Sequence, residues 1–217
     1  MEELNLIQKV AIWALPVLFA ITAHEVAHGW VALRFGDRTA MMLGRLTLNP
    51  IKHIDPIGTL LVPGLLLMLG GFLFGWAKPV PVTVQNLRHP KRDMAWVALA
   101  GPAANLLMAI IWVLFIKVGL MIGTALPWLA KPLIYMGGAG VSINVVLMAL
   151  NLLPLPPLDG GRIMASLLPG PWAWRFERLE PFGFLILLGL IITGILGKIL
   201  GPIVGTFERL LYLLAGV

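Results

Sequence analysis

The chain has 217 residues, of which 59% are hydrophobic and 12% charged, and its mean hydropathy is +0.92. Since an ordinary soluble domain carries about 25% charged residues, this composition excludes a soluble globular protein and indicates one that crosses a membrane several times. The formal net charge of +6 indicates cytoplasmic loops rather than nucleic acid, which we do not expect as a partner. Cysteine is absent, so only His, Asp and Glu remain as metal ligands.

The first apolar segment covers residues 6–33. At 1.5 Å per residue in a helix, it is long enough to cross a hydrocarbon core of about 30 Å. Glu2 and Glu3 precede it, where a secretory signal would carry basic residues. We therefore expect it to remain in the protein as the first span.

Two histidines and a glutamate lie near the end of this span, in the run His24-Glu25-Val26-Ala27-His28. In a helix the two histidines are neighbours on one face, with about 5–6 Å between their Cβ atoms, so both imidazoles can bind one ion. This is the H-E-x-x-H pattern, in which two histidines hold zinc and the glutamate is the general base that activates water. The alternative is a chance match, so a third ligand decides the interpretation.

The middle of the chain alternates between polar and apolar stretches. Residues 34–58 are polar and turn-rich around a strand-like run at 45–48. Residues 59–76 are apolar but contain a proline and four glycines, and they are barely long enough to span. Residues 80–84 are predicted to be an edge strand, since prolines at 79 and 81 do not fit a central one. A charged turn is expected at 88–93.

Further spans are predicted at residues 94–120, 133–153, 182–196 and 199–214. The predicted fold is therefore an all-α polytopic membrane protein with about five transmembrane helices, a re-entrant segment and a small β element near the active site. Residues 1–217 are expected to form a single membrane-embedded domain, because no linker or repeat divides them.

A catalytic zinc site usually has three protein ligands. His53 and His89 lie in basic, turn-rich loops, where a solvated or interfacial histidine is the ordinary interpretation. Asp159 follows a proline-rich stretch that must unwind the end of a span, and an ionisable group at membrane depth is a functional candidate. It could instead cap the next helix. Because His24 and His28 need a partner, we favour the metal-ligand interpretation.

The two parts of this site lie near the C-terminal ends of their spans, so those spans must run parallel. One intervening crossing, at 94–120, achieves this, whereas a second at 59–76 would place the two ends on opposite faces. We therefore predict that 59–76 is re-entrant or half-inserted.

The distribution of Lys and Arg gives the orientation. Four of them fall on one side, and the twelve on the side of the site are Arg34, Arg38, Arg45, Lys52, Lys78, Arg88, Lys91, Arg92, Arg162, Arg175, Arg178 and Arg209. By the positive-inside tendency the N-terminus is outside and the site opens to the cytoplasm.

Three blocks of the sequence resemble the site-2 protease family of intramembrane zinc metalloproteases. They are the H-E-x-x-H run at 24–28, the Gly-Pro-x-x-Asn run at 101–105, and the stretch from Asn151 to Arg162 with its Leu-Asp-Gly core. The blocks occur in order over nearly the whole chain. The likeness is to compact bacterial and archaeal members of the family that lack PDZ and CBS domains.

The resemblance implies that one zinc ion is bound by His24, His28 and Asp159, with Glu25 as the base. It also implies an integral protein of a bacterial or archaeal plasma membrane. Its partners would be the lipid bilayer and membrane-anchored protein substrates, which it cuts within or beside their transmembrane helices. The remaining alternatives are a membrane metal transporter and a catalytically inactive scaffold.

Five further residues are weaker candidates. Asn151 donates either to the reacting carbonyl or substrate backbone, or to a neighbouring helix. Asn105 has the same choice, with packing or support of the site favoured. Arg162 either balances the charge of the aspartate or anchors at the interface. Val82 and Val84, in the 80–84 segment, are expected to hold unwound substrate by main-chain pairing.

Overall fold

A computed structural model of the chain describes residues 5–61 and 78–216, and the regular secondary structure within them is helical. The eight α-helices in these residues are α1 (Leu6–Arg34), α2 (Thr39–Met42), α3 (Pro90–Ile122), α4 (Pro127–Asn151), α5 (Asp159–Leu167), α6 (Gly170–Glu177), α7 (Glu180–Ile192) and α8 (Ile195–Ala215). Short 3-10 turns cover Pro50–His53 and Val84–Asn86, and a π-helical turn covers Pro56–Leu61. The predicted all-α class is confirmed.

Three helices, α1 from Ile7 onward, α3 and α4, are long and apolar enough to cross a membrane. The predicted spans at 182–196 and 199–214 form a bent pair instead, because α7 and α8 meet at 81° across a short break. Gly194 in that break has a φ of 72°, a left-handed conformation that ends helical geometry. The described residues therefore hold three spans, or four if the bent pair is one, and the prediction of about five is not confirmed.

The small β element is not confirmed either. No strand occurs among the described residues, so 45–48 is not a strand, and the 80–84 segment is extended only until a 3-10 turn begins at Val84. The physical reason is that the N–H groups of Val80 and Thr83 donate to side chains, at 2.6 and 2.7 Å, rather than to a second strand. Most of the predicted re-entrant segment, from residue 62 to 76, lies outside the described residues.

The predicted charged turn at 88–93 is in part helix. Pro90 is the first residue of α3, where its missing N–H costs no hydrogen bond, and Asp93 lies in the first turn. The Asp93 carboxylate accepts the N–H of His89 at 2.8 Å, as an acidic side chain at a helix N-terminus favourably does. The span therefore begins four residues earlier than hydropathy indicated.

Helix α3 lies at the centre of the fold and packs against α1, α4 and α5, while α4 also contacts α1 and α8. The main apolar core joins Trp112 of α3 to Val141 and Val145 of α4 and to Leu211 of α8. Large apolar side chains such as Leu114 and Leu185 remain exposed on the outside of the helices. This is the surface that a lipid bilayer covers.

Candidate metal centre

His24, His28 and Asp159 converge in the interior of the protein. The two Nε2 atoms are 3.0 Å apart, and Oδ2 of Asp159 lies 3.2 Å from that of His24 and 3.3 Å from that of His28. None of the three residues is more than 9% exposed. The structure therefore brings together the three candidate ligands that the sequence pointed to, although 130 residues lie between His28 and Asp159 in the chain.

These separations fit a metal ion. Zinc binds imidazole nitrogen and carboxylate oxygen at about 2.0–2.1 Å, and tetrahedral angles then put neighbouring ligand atoms about 3.3–3.4 Å apart. The buried Oδ2 of Asp159 has no hydrogen-bond donor among the described residues. A shared cation would satisfy it.

The hydrogen bonds of the two imidazoles fix which nitrogen carries the proton. Nδ1 of His28 lies 2.7 Å from the backbone carbonyl of Val97, and Nδ1 of His24 lies 2.6 Å from Oδ1 of Asn105. Since both partners are acceptors, each Nδ1 is the protonated nitrogen and each Nε2 presents a lone pair. Two lone pairs and a carboxylate that face each other in a buried site repel one another unless a cation lies between them.

Small residues make this convergence possible. A methyl group at Gly101, in the Gly-Pro-x-x-Asn block, would overlap the imidazoles of His24 and His28. Methyl groups at Gly160 and Gly161 would overlap the backbone of the preceding proline-rich loop. These glycines let α3 pack directly on the metal ligands and let the loop fold back on the start of α5.

Asp159 is the first residue of α5, and Leu158 before it occupies the N-cap position without a side-chain cap. The aspartate therefore does not occupy the capping position that the alternative interpretation gave it. Because the chain leaves α4 at Asn151 and turns through the proline-rich loop, the carboxylate reaches the histidines near the C-terminal end of α1.

The carboxylate of Glu25 is half-buried, and its Oε2 accepts the backbone N–H of Val80 at 2.6 Å. Gly29, one turn further along α1, makes this approach possible, because a methyl group there would overlap the side chains of Val80 and Leu46. The 80–84 segment thus lies against the glutamate, and its main chain orients one of the two carboxylate oxygens.

Asp37 holds the far end of this segment. One of its buried carboxylate oxygens accepts the N–H of Thr83 at 2.7 Å, and the other accepts from Thr39 and from Nδ2 of Asn86. Burial opposes ionisation of Asp37, but these hydrogen bonds outweigh it and hold the pKa of the carboxyl below its usual value. A charged aspartate thus ties residues 83–86 to the end of α1.

The substitution Asp37→Asn is expected to destabilise the protein by about 1–3 kcal/mol, because the asparagine NH₂ group would face a donor whichever way it turned, either the Thr83 N–H or those of Thr39 and Asn86. Since the folded-state pKa is depressed, the contribution of Asp37 is complete above its usual pKa of 3.8 and declines as the pH falls further. Thermal unfolding in detergent between pH 3 and pH 6 measures both effects, and the variant should show less acid destabilisation. Unchanged unfolding at every pH would contradict this role.

Comparison with known proteins agrees with this chemistry. The chain is 40% identical over 189 residues to "Putative zinc metalloprotease YwhC" of Bacillus subtilis, covering 86% of this chain and 82% of that protein. The chain belongs to this zinc metalloprotease family. It is also 33% identical over 184 residues to "Putative zinc metalloprotease Rip2" of Mycolicibacterium smegmatis, covering 83% of this chain and 66% of that protein. No family model and no solved structure matches it.

The zinc cofactor predicted from the sequence is confirmed, since the relatives are named as zinc metalloproteases and the buried group of His24, His28 and Asp159 can hold the ion. The family resemblance seen in the sequence is confirmed as well, since these relatives are named as zinc metalloproteases and are consistent with a compact site-2 protease family. The prediction of a membrane protein is supported by the three helices that are long and apolar enough to cross a bilayer.

The weaker candidates lie in different places. Asn105 contacts His24 directly. Asn151 donates to the Leu147 carbonyl of its own helix at 3.0 Å rather than to a neighbouring one. Arg162 forms no ion pair with Asp159 among the described residues.

A cleft of about 520 Å³ separates the 80–84 segment from the proline-rich loop and α5. Val82 and Val84 line one wall, and Pro156, Gly161 and Arg162 line another. Each wall adjoins a site residue along the chain, because Val80 of the first segment binds Glu25 and Gly161 of the second lies two residues after Asp159.

The two loop histidines differ from each other. The side chain of His89 is 72% exposed, as expected for a solvated residue. His53 is not solvated, since it is 2% exposed with Nε2 2.9 Å from the Thr47 carbonyl. Folding of the loop back on itself buries it, an effect that loop composition alone does not reveal.

Three contributors to the site were missed. Val80 and Val97 act through backbone groups, which leave no side-chain signature in the sequence. Asn144 is fully buried and donates to the Gly140 carbonyl, and it did have a signal, because a polar residue inside an apolar span is unusual.

Proposed function

We propose that this protein is an intramembrane zinc metalloprotease of the site-2 type, which cuts membrane-anchored protein substrates within or beside their transmembrane helices. The observation that carries the proposal is the position of the site. His24, Glu25 and His28 lie on a helix that is long and apolar enough to span a bilayer. A peptide bond cut at such a site must itself reach membrane depth, which favours a membrane-anchored substrate over a soluble one.

Zinc, when bound by His24, His28 and Asp159, would supply a Lewis acid that polarises the scissile carbonyl and acidifies water. Glu25 would take a proton from the attacking water and pass it to the leaving amine. The Val80 N–H, which binds Oε2, would keep the carboxylate aimed at the site while the other oxygen remains available for the proton. Asp159 and the two histidines would retain their roles as ligands throughout.

A helical substrate must unwind locally, because its peptide carbonyls are shielded by its own hydrogen bonds. The 80–84 segment would hold the unwound chain by main-chain pairing. In an extended chain the N–H groups of alternate residues point to the same side, so Val82 presents its N–H on the side where Val80 meets Glu25. The cleft beside Val82 and Val84 would then receive substrate side chains.

The substitution Val82→Pro removes the N–H of residue 82 and is expected to lower the cleavage rate about 2- to 10-fold. This corresponds to the loss of one hydrogen bond of about 0.5–1.5 kcal/mol. Val82→Ala keeps the N–H and separates this effect from a change in the cleft wall. Both variants should be compared for initial cleavage rate and for thermal unfolding. If Val82→Pro, and likewise Val84→Pro, change neither folding nor cleavage, the segment does not pair with substrate.

We further propose that the N-terminus is outside and that the site opens to the cytoplasm, as the asymmetry of the basic residues favours. A reporter enzyme fused after Trp76 should then report a cytoplasmic position. An external position would overturn both this orientation and the re-entrant prediction for residues 59–76.

The function is tested with the purified full chain in lipid vesicles that also carry a membrane-anchored substrate. We expect cleavage within or next to the substrate's transmembrane segment, located by mass spectrometry of both products. A zinc chelator should reduce cleavage to background, and added zinc should restore it. Zinc flux into sealed vesicles without any cleavage would favour the transporter, and neither activity would favour the scaffold.

A further inference from the structure

A chain of buried amide groups connects the zinc ligand His24 to the interior of α4. Nδ1 of His24 donates to Oδ1 of Asn105 at 2.6 Å, and Nδ2 of Asn105 donates to Oδ1 of Asn144 at 3.0 Å. Nδ2 of Asn144 in turn donates to the Gly140 carbonyl at 2.8 Å. Asn105 and Asn144 are both 0% exposed, so no water competes for these groups.

The direction of every bond in this chain follows from its ends. The Gly140 carbonyl can only accept, so it must face the NH₂ group of Asn144, whose oxygen then faces Asn105. Asn105 must therefore turn its own NH₂ group towards Asn144, where the Ala20 carbonyl, at 3.2 Å, also accepts from it. The oxygen of Asn105 is left to face His24, which requires a proton on Nδ1 and leaves Nε2 free for the metal.

We propose that Asn144 is a positioning residue for the zinc site, which acts through Asn105 to set the tautomer and ring orientation of His24. The inference rests on His24 being a zinc ligand, as in the proposed function, but not on proteolysis. Without Asn144, the NH₂ group of Asn105 would keep only its longer bond, to the Ala20 carbonyl, and would be less firmly held in its orientation. If the Asn105 amide turned over, its NH₂ group would face Nδ1 of His24. This would favour the tautomer with the proton on Nε2, which cannot bind zinc through that atom.

His28 provides a comparison within the same site. Its Nδ1 donates to the backbone carbonyl of Val97, a group that cannot flip and that does not depend on Asn144. A change at Asn144 should therefore affect His24 and spare His28. A general loss of packing would disturb both histidines.

The first experiment uses the unaltered, zinc-loaded chain in detergent, labelled with ¹⁵N in its four histidines. We expect His24 and His28 each to carry a proton on Nδ1 and to bind zinc through Nε2. Zinc bound to Nδ1 of His24 would overturn the proposal, whatever the behaviour of any variant.

The second experiment compares variants by competition with a zinc chelator of known affinity. We expect Asn144→Leu to lower zinc affinity about 10- to 100-fold, as the loss of a group that orients a metal ligand does. At a zinc concentration that saturates the variant, we expect its ¹⁵N signals to change for His24 and not for His28. Unchanged zinc affinity, or equal changes at both histidines, would overturn the proposal.

Two further variants separate positioning from packing. Asn144→Asp keeps an acceptor towards Asn105 and, as a neutral acid, a donor towards Gly140, so it should restore most of the zinc affinity. Thr206→Val removes a bond of the same i to i−4 type, from Oγ1 to the Pro202 carbonyl at an exposed position of α8; it controls for the loss of such a helix bond and should leave zinc affinity unchanged. If Asn144→Asp fails to restore affinity although it folds, an acceptor at this position is not what the site needs, and the proposal is wrong.

Discussion

The substitution Glu25→Gln is expected to lower the rate of substrate cleavage by about 10²- to 10⁴-fold, the usual contribution of a general base. Glutamine keeps a carbonyl oxygen that can accept the Val80 N–H, so the 80–84 segment should stay in place. It cannot take a proton from water. The three metal ligands are untouched, and zinc content should therefore remain one ion per chain.

Glu208→Gln is the matched control, since it makes the same charge change at a half-buried glutamate of α8 that, among the described residues, belongs to no group able to hold a metal. It should cleave at the parent rate. Cleavage and zinc content of both variants are measured in the same vesicles. Undiminished cleavage by Glu25→Gln would reject Glu25 as the base, and zinc flux that persists in this variant without cleavage in the parent would favour a transporter.

The ligand group was predictable because its determinants are local or geometric. Helical periodicity alone puts His24 and His28 on one face. Asp159 required one more step, namely that an unwound, proline-rich stretch carries an ionisable group to the same membrane depth as the histidines. The structure places the candidate ligand atoms of the three side chains within 3.3 Å of one another, as this reasoning requires.

The partners of these ligands were less predictable, because they depend on how helices pack. Every residue has a backbone carbonyl, so the sequence does not indicate that His28 binds that of Val97. This bond forms because α3 approaches the histidines closely at Gly101. Asn105 and Asn144 are visible in the sequence as polar residues of apolar spans. Their bond to each other depends on the rotation of α3 relative to α4, which hydropathy does not specify.

The C-terminal region shows a related limit. Hydropathy measures how apolar a segment is, and α7 and α8 taken together are apolar enough to cross a membrane. It does not record direction, and the 81° bend at Gly194 prevents two independent crossings. The predicted edge strand at 80–84 is absent for a different reason. An extended chain becomes a strand only when a second one pairs with it. Here side chains of α1 and of the turn after it already bind the N–H groups of the segment.

The substitution Asp159→Asn is expected to reduce zinc affinity by at least about 100-fold, since the loss of a group outside the ligand set already costs 10- to 100-fold. Asparagine has the same shape but no charge, so the site would offer zinc two imidazoles and a neutral oxygen. The doubly charged zinc ion would then be buried without the carboxylate that the described group offers it. Zinc content after dialysis, affinity by chelator competition and cleavage rate should all fall together.

Asp93→Asn is the control for this change. Asp93 is also buried, at 3% exposed, and it also lies in the first turn of a helix, where it accepts the His89 N–H. Its replacement keeps an oxygen that can accept this N–H but removes the negative charge at the start of α3, so it should lower stability by about 0.3–1 kcal/mol and leave zinc affinity unchanged. Asp159→Asn should show the opposite pattern, because its carboxylate faces two imidazole lone pairs and, among the described residues, accepts no N–H of its helix. If Asp159→Asn instead lowers the stability of the metal-free protein and retains zinc, Asp159 is a structural residue, and the third ligand must be sought elsewhere in the chain.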